Sequence, residues 1–216
     1  EGEWDQWLGP APKVSYNRNR TYYRFRWFYD YSGGQVTNFG VHYVDTLRWC
    51  LGLDVPKAVT AMGGNYAVKD NREIPDTAEM LWEYPGATMM VFSQYNANNA
   101  PANRGGREME LRGTKGTMYL DLNGREVVPQ RVTEANVPAR TPVDRQTERS
   151  YSPSKKTLIE PREMKGRVEN TAHARNFLDC VKARNPKTNC DALTGHLSTS
   201  GPLIGNIALK TRSFLE

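Results

Sequence analysis

Val36-Thr37-Asn38-Phe39-Gly40-Val41-His42-Tyr43-Val44-Asp45-Thr46-Leu47-Arg48-Trp49-Cys50-Leu51, followed by Gly52, has the period of an amphipathic helix. At about 100° per residue, Val36, Gly40, Val44, Leu47 and Leu51 share one stripe, flanked by Phe39, Tyr43 and Cys50, which predicts a face turned into a core. Gly52 tolerates the left-handed backbone that ends a helix. The opposite stripe carries Asn38, His42, Asp45 and Trp49, each about one turn from the next. A solvated stripe ordinarily carries flexible Lys and Glu. An amide, an imidazole, a carboxylate and an indole in their place predict the wall of a cleft.

Histidine exchanges a proton near neutral pH, and an amide or carboxylate one turn away can orient either its ring or a substrate hydroxyl. The same spacing also suits a purely structural hydrogen-bonding histidine. Metal binding is not expected, because His42 with Asp45 supplies only two plausible ligands and Asn is a poor third. His173 and His196 read as surface or capping residues. Ser198, Thr199 and Ser200 follow His196 without the GxSxG elbow of a nucleophile.

Working outward, residues 1–35 hold many aromatics, prolines and glycines without helical or strand periodicity, which predicts an irregular segment pinned by aromatic mass. Residues 58–68, 77–84, 88–95, 108–112, 117–122 and 126–132 read as strands rich in β-branched, aromatic and Met residues. Pro85-Gly86, residues 113–116 and Asn123-Gly124 are the turns between them, and such short connections favour antiparallel neighbours. Residues 96–106 and 134–166 read as long loops, the second with four prolines. Helices are predicted over 168–184 and 193–214, with Pro202 a point where the second would kink or split. This order predicts an α+β fold, helices stacked on one face of a sheet.

A chain of 216 residues predicts one principal domain over 1–216. It has no run of the roughly 18 apolar residues that cross a bilayer, so no membrane partner is expected. Cys50, Cys180 and Cys190 cannot all pair with one another and lack zinc-ligand spacing. The net charge of +5 raises the question of nucleic acid, and Arg18, Arg20, Arg24 and Arg26 do interleave with Tyr22, Tyr23, Phe25 and Trp27. Elsewhere the charges are dispersed, and such a segment more commonly packs aromatics against a core or a small-molecule cleft, so nucleic acid is not the expected partner.

Three stretches carry a resemblance. They are Trp7-Leu8-Gly9-Pro10-Ala11-Pro12; Phe25-Arg26-Trp27-Phe28-Tyr29-Asp30-Tyr31-Ser32-Gly33-Gly34; and Asn38-Phe39-Gly40-Val41-His42-Tyr43-Val44-Asp45. With Asn176-Phe177-Leu178-Asp179-Cys180-Val181, Gly195-His196-Leu197-Ser198-Thr199 and Gly205-Asn206-Ile207-Ala208, the chain resembles the second domain of the Gfo/Idh/MocA oxidoreductases, the glucose-fructose oxidoreductase and inositol dehydrogenase group. The resemblance implies a large, open, mainly antiparallel sheet with helices on one face, and a homo-oligomer built through the free face.

In that family a preceding Rossmann domain binds NAD or NADP. No GxGxxG opening a βαβ unit occurs here, so that half is expected to lie outside this chain, which is expected neither to hold the cofactor alone nor to turn over. The first residue, Glu1, likewise leads us to expect a segment upstream. The family's DxxxH pattern maps onto Asn38 and His42, implying that His42 is the acid/base or hydroxyl-orienting residue for hydride transfer from a sugar carbinol. Asn38 is a departure, because an amide cannot take a proton as a carboxylate can. Asp45 would restore a negative charge near His42. Arg26, Trp27, Tyr29, Tyr31 and Trp49 are the candidates for a sugar-binding wall, with ordinary aromatic packing as the alternative.

The expected function is the substrate-binding portion of an NAD(P)-dependent oxidoreductase acting on a sugar, glycoside or polyol. The alternatives are a non-catalytic sugar-binding or oligomerisation module, and NAD-dependent redox-assisted glycoside cleavage. Relatives with this N-terminal segment often carry a twin-arginine signal, which implies an exported, periplasmic origin, with the cytoplasm as the alternative.

Overall fold

The computed structural model describes residues 2–100, 106–131 and 156–216. These form two compact units, one of residues 1–99 with 184–216 and one of residues 100–183. Among the described residues every paired strand is antiparallel, and the class is α+β as expected. The single large sheet expected from the sequence is divided among the described residues into a three-stranded and a four-stranded sheet.

The first unit contains α1 (Gly2–Leu8), α2 (Gly34–Leu51), β1 (Ala58–Gly64), β2 (Thr77–Tyr84), β3 (Thr88–Tyr95) and α4 (Ala192–Thr211), with β2 central in the sheet. Alternation along β2 buries Ala78, Met80, Trp82 and Tyr84 on one face. The register sets Trp82 between Val59 and Met90, and Met80 opposite Phe92. Helix α4 covers β1 and β2, and α2 lies beside it over β3, so both helices share the sheet's inner face.

Close approach of α4 to β2 depends on Gly205, where a Cβ would stand 2.9 Å from Met80 Sδ and from Trp82 Cζ2. The Trp82 indole then donates to the carbonyl of Gly201 at 2.9 Å, which satisfies its one donor in the core. Pro202 is fully buried and does not divide α4.

Helix α2 ends at Gly52, whose φ of 64° makes it the left-handed cap predicted for it. Val36, Gly40, Val44 and Leu47 face inward as expected, but Leu51 is exposed and Arg48 is buried. Strand β1 stops at Gly64 rather than running to Val68. The amides of Tyr66, Ala67 and Val68 turn away from the sheet onto the buried carboxylate of Asp76, at 3.2, 3.0 and 2.7 Å. Burial alone would raise the Asp76 pKa, but these amides and the Thr77 hydroxyl outweigh it and hold the group at about 2.

The second unit carries β4 (Met109–Gly113), β5 (Gly116–Asp121), β6 (Gly124–Pro129), β7 (Arg162–Lys165) and α3 (Asn170–Ala183), with its strands paired in chain order. Asp121 braces the β5–β6 turn by accepting from the amides of Asn123 and Gly124 while pairing with Arg107 at 2.8 Å. Two elements depart from the sequence reading. Residues 134–166 were expected to be loop, yet β7 pairs with β6 within them, and the rest of the expected loop up to residue 155 lies outside the described residues. Residues 1–35 were expected to be irregular, yet α1 forms there. Its Trp4 is tied by its indole N–H to the carbonyl of Val14 at 2.8 Å.

Candidate functional site

The site is built on the side of α2 that faces away from the sheet, and its rigidity comes from the inner side. Arg48 donates from Nε to the carbonyl of Asp54 at 2.8 Å and from Nη1 to Ser198 Oγ on α4 at 2.5 Å. Ser198 in turn donates to the carboxylate of Asp45. At the other end of the helix, Asn206 of α4 donates to the carbonyl of Gly33 at 2.7 Å. Helix α2 is thereby fixed to α4 at both ends by buried or half-buried polar bonds.

On this scaffold Asn38 is half-buried and His42, one turn later, is exposed. Neither side chain hydrogen-bonds to another described residue, and the His42 ring is open to solvent. Asp45, expected to restore a negative charge near His42, accepts from the Ser198 hydroxyl at the α2–α4 seam. Trp49 is 83% exposed and Phe39 stacks on Tyr43, with ring centroids 6.5 Å apart.

The four candidates upstream contact the N-terminal segment, the chain around residue 72 and α4. Arg26 donates to the carbonyl of Tyr23 at 2.8 Å and lies over its ring. The guanidinium of Arg72 covers one face of Trp27 at 4.5 Å, and the ammonium of Lys210 covers Tyr29 at 4.7 Å. The Tyr31 hydroxyl accepts from Arg20 at 3.4 Å. Glu73 gathers the segment by pairing with Arg20 at 2.8 Å and accepting the Tyr29 amide at 3.0 Å. Burial, then the charge of Glu73, pushes the Tyr29 hydroxyl pKa up. The short 3-10 turn Arg24–Trp27 packs against α2, which sets this aromatic wall beside the helix.

Two features of this region were not singled out from the sequence. A cavity of about 230 Å³ opens beside Trp27, lined by Asn19, Arg24, Asp70, Asn71 and Arg72. Within it Arg72 makes two 2.8 Å bonds to Asp70, two residues away, which lower the Asp70 pKa. The alternation Asp70-Asn71-Arg72 was the available signal. A second cavity, of about 950 Å³, lies among the N-terminal aromatics.

Among the described residues no group of three His, Cys, Asp or Glu side chains could hold a metal. No helix of the described residues is long and apolar enough to cross a membrane. A dinucleotide needs a strand-to-helix turn inside a parallel βαβ unit to cradle its pyrophosphate, and every paired strand described here is antiparallel. No such unit occurs among the described residues.

Residues 11–119 match a family model described as the GFO/IDH/MocA C-terminal domain. None of the curated proteins matches the chain. Among solved structures, an NAD-binding protein from Listeria innocua superposes with a TM-score of 0.57 at 14% identity over 95% of this chain and 56% of that one. Aldose-aldose oxidoreductase from Caulobacter crescentus, complexed with glycerol, gives 0.56 at 13% identity over 99% and 58%. UDP-N-acetylglucosamine 3-dehydrogenase from Acidithiobacillus ferrooxidans gives 0.53 at 16% identity over 79% and 47%. At these identities the likeness is one of fold, and the chain spans about half the length of these structures. With a family model covering half of its residues and an antiparallel α+β fold that agrees with it, the chain belongs to the GFO/IDH/MocA oxidoreductase family, as its C-terminal domain.

Proposed function

We propose that this chain is the substrate-binding portion of an oxidoreductase acting on a hydroxyl of a sugar, glycoside or polyol, with NAD or NADP held by a part of the protein other than the residues described here. The observation that carries this reading is the half-buried Asn38 one turn from the exposed His42 on a helix fixed to α4 by Arg48, Ser198 and Asp45. A neutral imidazole can accept the proton of a carbinol hydroxyl, and the Asn38 amide can hold that hydroxyl by donating or accepting a hydrogen bond. Asp45, bonded to Ser198, serves the helix position rather than the basicity of the ring. Trp27, Tyr29 and Tyr31 supply aromatic faces for sugar C–H surfaces and Arg26 a guanidinium for its hydroxyls, with Trp49 further along α2. The sugar-directed names of two similar folds, an aldose-aldose oxidoreductase and a UDP-N-acetylglucosamine 3-dehydrogenase, favour the same substrate class.

One observation favours a second reading, a sugar-binding module without redox chemistry: Asn38 stands where the resemblance implies a carboxylate. An outer sheet face bearing exposed Met62, Met89, Val91 and Tyr95 supports a homo-oligomer under either reading. Calorimetric titration of the chain with glycerol, inositol, glucose and N-acetylglucosamine tests the binding role. Saturable heat that His42→Ala abolishes is expected; no saturable binding, or binding indifferent to that substitution, contradicts it.

A further inference from the structure

The cavity of about 950 Å³ at the N-terminus contains none of the residues assigned above, and its lining has a chemistry of its own. Trp4, Trp7, Tyr16 and Tyr22 face it as two ring pairs. Trp4 meets Tyr16 edge-on at 5.3 Å, and Trp7 meets Tyr22 at 5.2 Å with planes inclined by 57°. The Trp4 indole is anchored on the Val14 carbonyl, so the first pair is oriented by the backbone. Such pairs hold each other's rings in place. They do so without being covered, since Trp7, Tyr16 and Tyr22 are 44%, 65% and 77% exposed. Fixed aromatic faces left in water around a cavity are features of a ligand site rather than of a core.

The charges select the ligand. Lys13 and Asp5 neutralise each other across a 2.9 Å ion pair, leaving Glu3 as the remaining charge on the lining. That balance disfavours phosphates and carboxylates, whereas Glu3, Asp5 and the Ser15 hydroxyl are suited to hydrogen-bonding neutral hydroxyls. A ligand that combines apolar C–H faces with a rim of neutral hydroxyls is a carbohydrate. The volume lies at the upper end of the roughly 300–1,000 Å³ of small-molecule sites, and two ring pairs offer two stacking positions.

We propose that this cavity binds a neutral oligosaccharide of two or more sugar units, stacked on the Trp4–Tyr16 and Trp7–Tyr22 pairs. The inference does not rest on any role for His42. It is tested by titrating the chain with maltotriose, cellotriose, xylotriose, N-acetylchitotriose and, as a charged comparison, trigalacturonate, following tryptophan fluorescence and heat. Saturable binding of at least one neutral trisaccharide, weakened at least about tenfold by Trp7→Ala, is the expected result. Tyr22→Ala gives a second reading at a side chain too exposed to be needed for folding, and circular dichroism checks both variants. The proposal is overturned if no neutral trisaccharide saturates, if trigalacturonate binds more tightly than all of them, or if neither aromatic substitution weakens binding. Loss of oligosaccharide binding in His42→Ala with Trp7→Ala unaffected would also overturn it, while leaving the α2 reading intact.

Discussion

Arg48 on α2 and Ser198 on α4 are joined by a 2.5 Å hydrogen bond between residues 150 positions apart in sequence, and through Ser198 the bond reaches Asp45. The two helices that cover the sheet are thus locked together directly behind the helix face that carries His42.

Removing this lock should cost stability. Arg48→Met removes two bonds from a buried guanidinium and is expected to lower unfolding free energy by about 3 kcal/mol, and Ser198→Ala by about 1–2 kcal/mol. His42→Ala, at an exposed position, is expected to stay within about 0.5 kcal/mol of the parent. Urea denaturation of the three variants checks the order, and equal losses at Arg48 and His42 would contradict it.

At Gly205 two effects oppose each other. Alanine gains about 1 kcal/mol in a helix interior over glycine. Its Cβ, however, would enter the space of Met80 Sδ and the Trp82 ring at 2.9 Å, and overpacking costs about 1–3 kcal/mol. The indole cannot swing aside, because its N–H is held by the Gly201 carbonyl. Gly205→Ala is therefore expected to lower the melting temperature; a rise would show that α4 lies further from β2.

Asp76 makes stability depend on acid. Its pKa falls from the ordinary 3.8 to about 2 on folding, so its contribution is fully present above about pH 4 and is lost as pH drops towards 2. Asp76→Asn should cost on the order of 2–3 kcal/mol at pH 7, with the gap to the parent narrowing between pH 4 and pH 2. Chemical denaturation across that range measures it, and a gap independent of pH would contradict the account.

Asn38→Asp, tested with the chain joined to a nucleotide-binding domain, should raise the rate of polyol or sugar oxidation, because a carboxylate beside His42 stabilises the imidazolium that forms as the ring takes the carbinol proton. An unchanged rate would favour the module without redox chemistry.

Strands β2 and β3 match the sequence reading residue for residue, because each is a run rich in β-branched, aromatic and Met residues and the Pro85-Gly86 turn marks where one ends and the next begins. Helix α2 was legible for the same kind of reason, a clear period ended by a glycine. Strand β7 was not, since all four of its residues are exposed and nothing alternates. Helix α1 has seven residues and depends on distant contacts such as Trp4 with Val14. In the site, the exposure of His42 could be read from period alone. The partner of Asp45 could not, because it lies on α4, and a buried Arg48 is indistinguishable in sequence from a solvated one.

The central claim, that the His42 face of α2 meets a hydroxylated substrate, is tested most directly by the imidazole proton–carbon NMR signals of the chain's three histidines during titration with polyols and sugars. The account predicts saturable shifts of the His42 signals with at least one of these ligands, while His173 and His196 stay in place. Signals of His42 that remain fixed while a ligand demonstrably binds would contradict it.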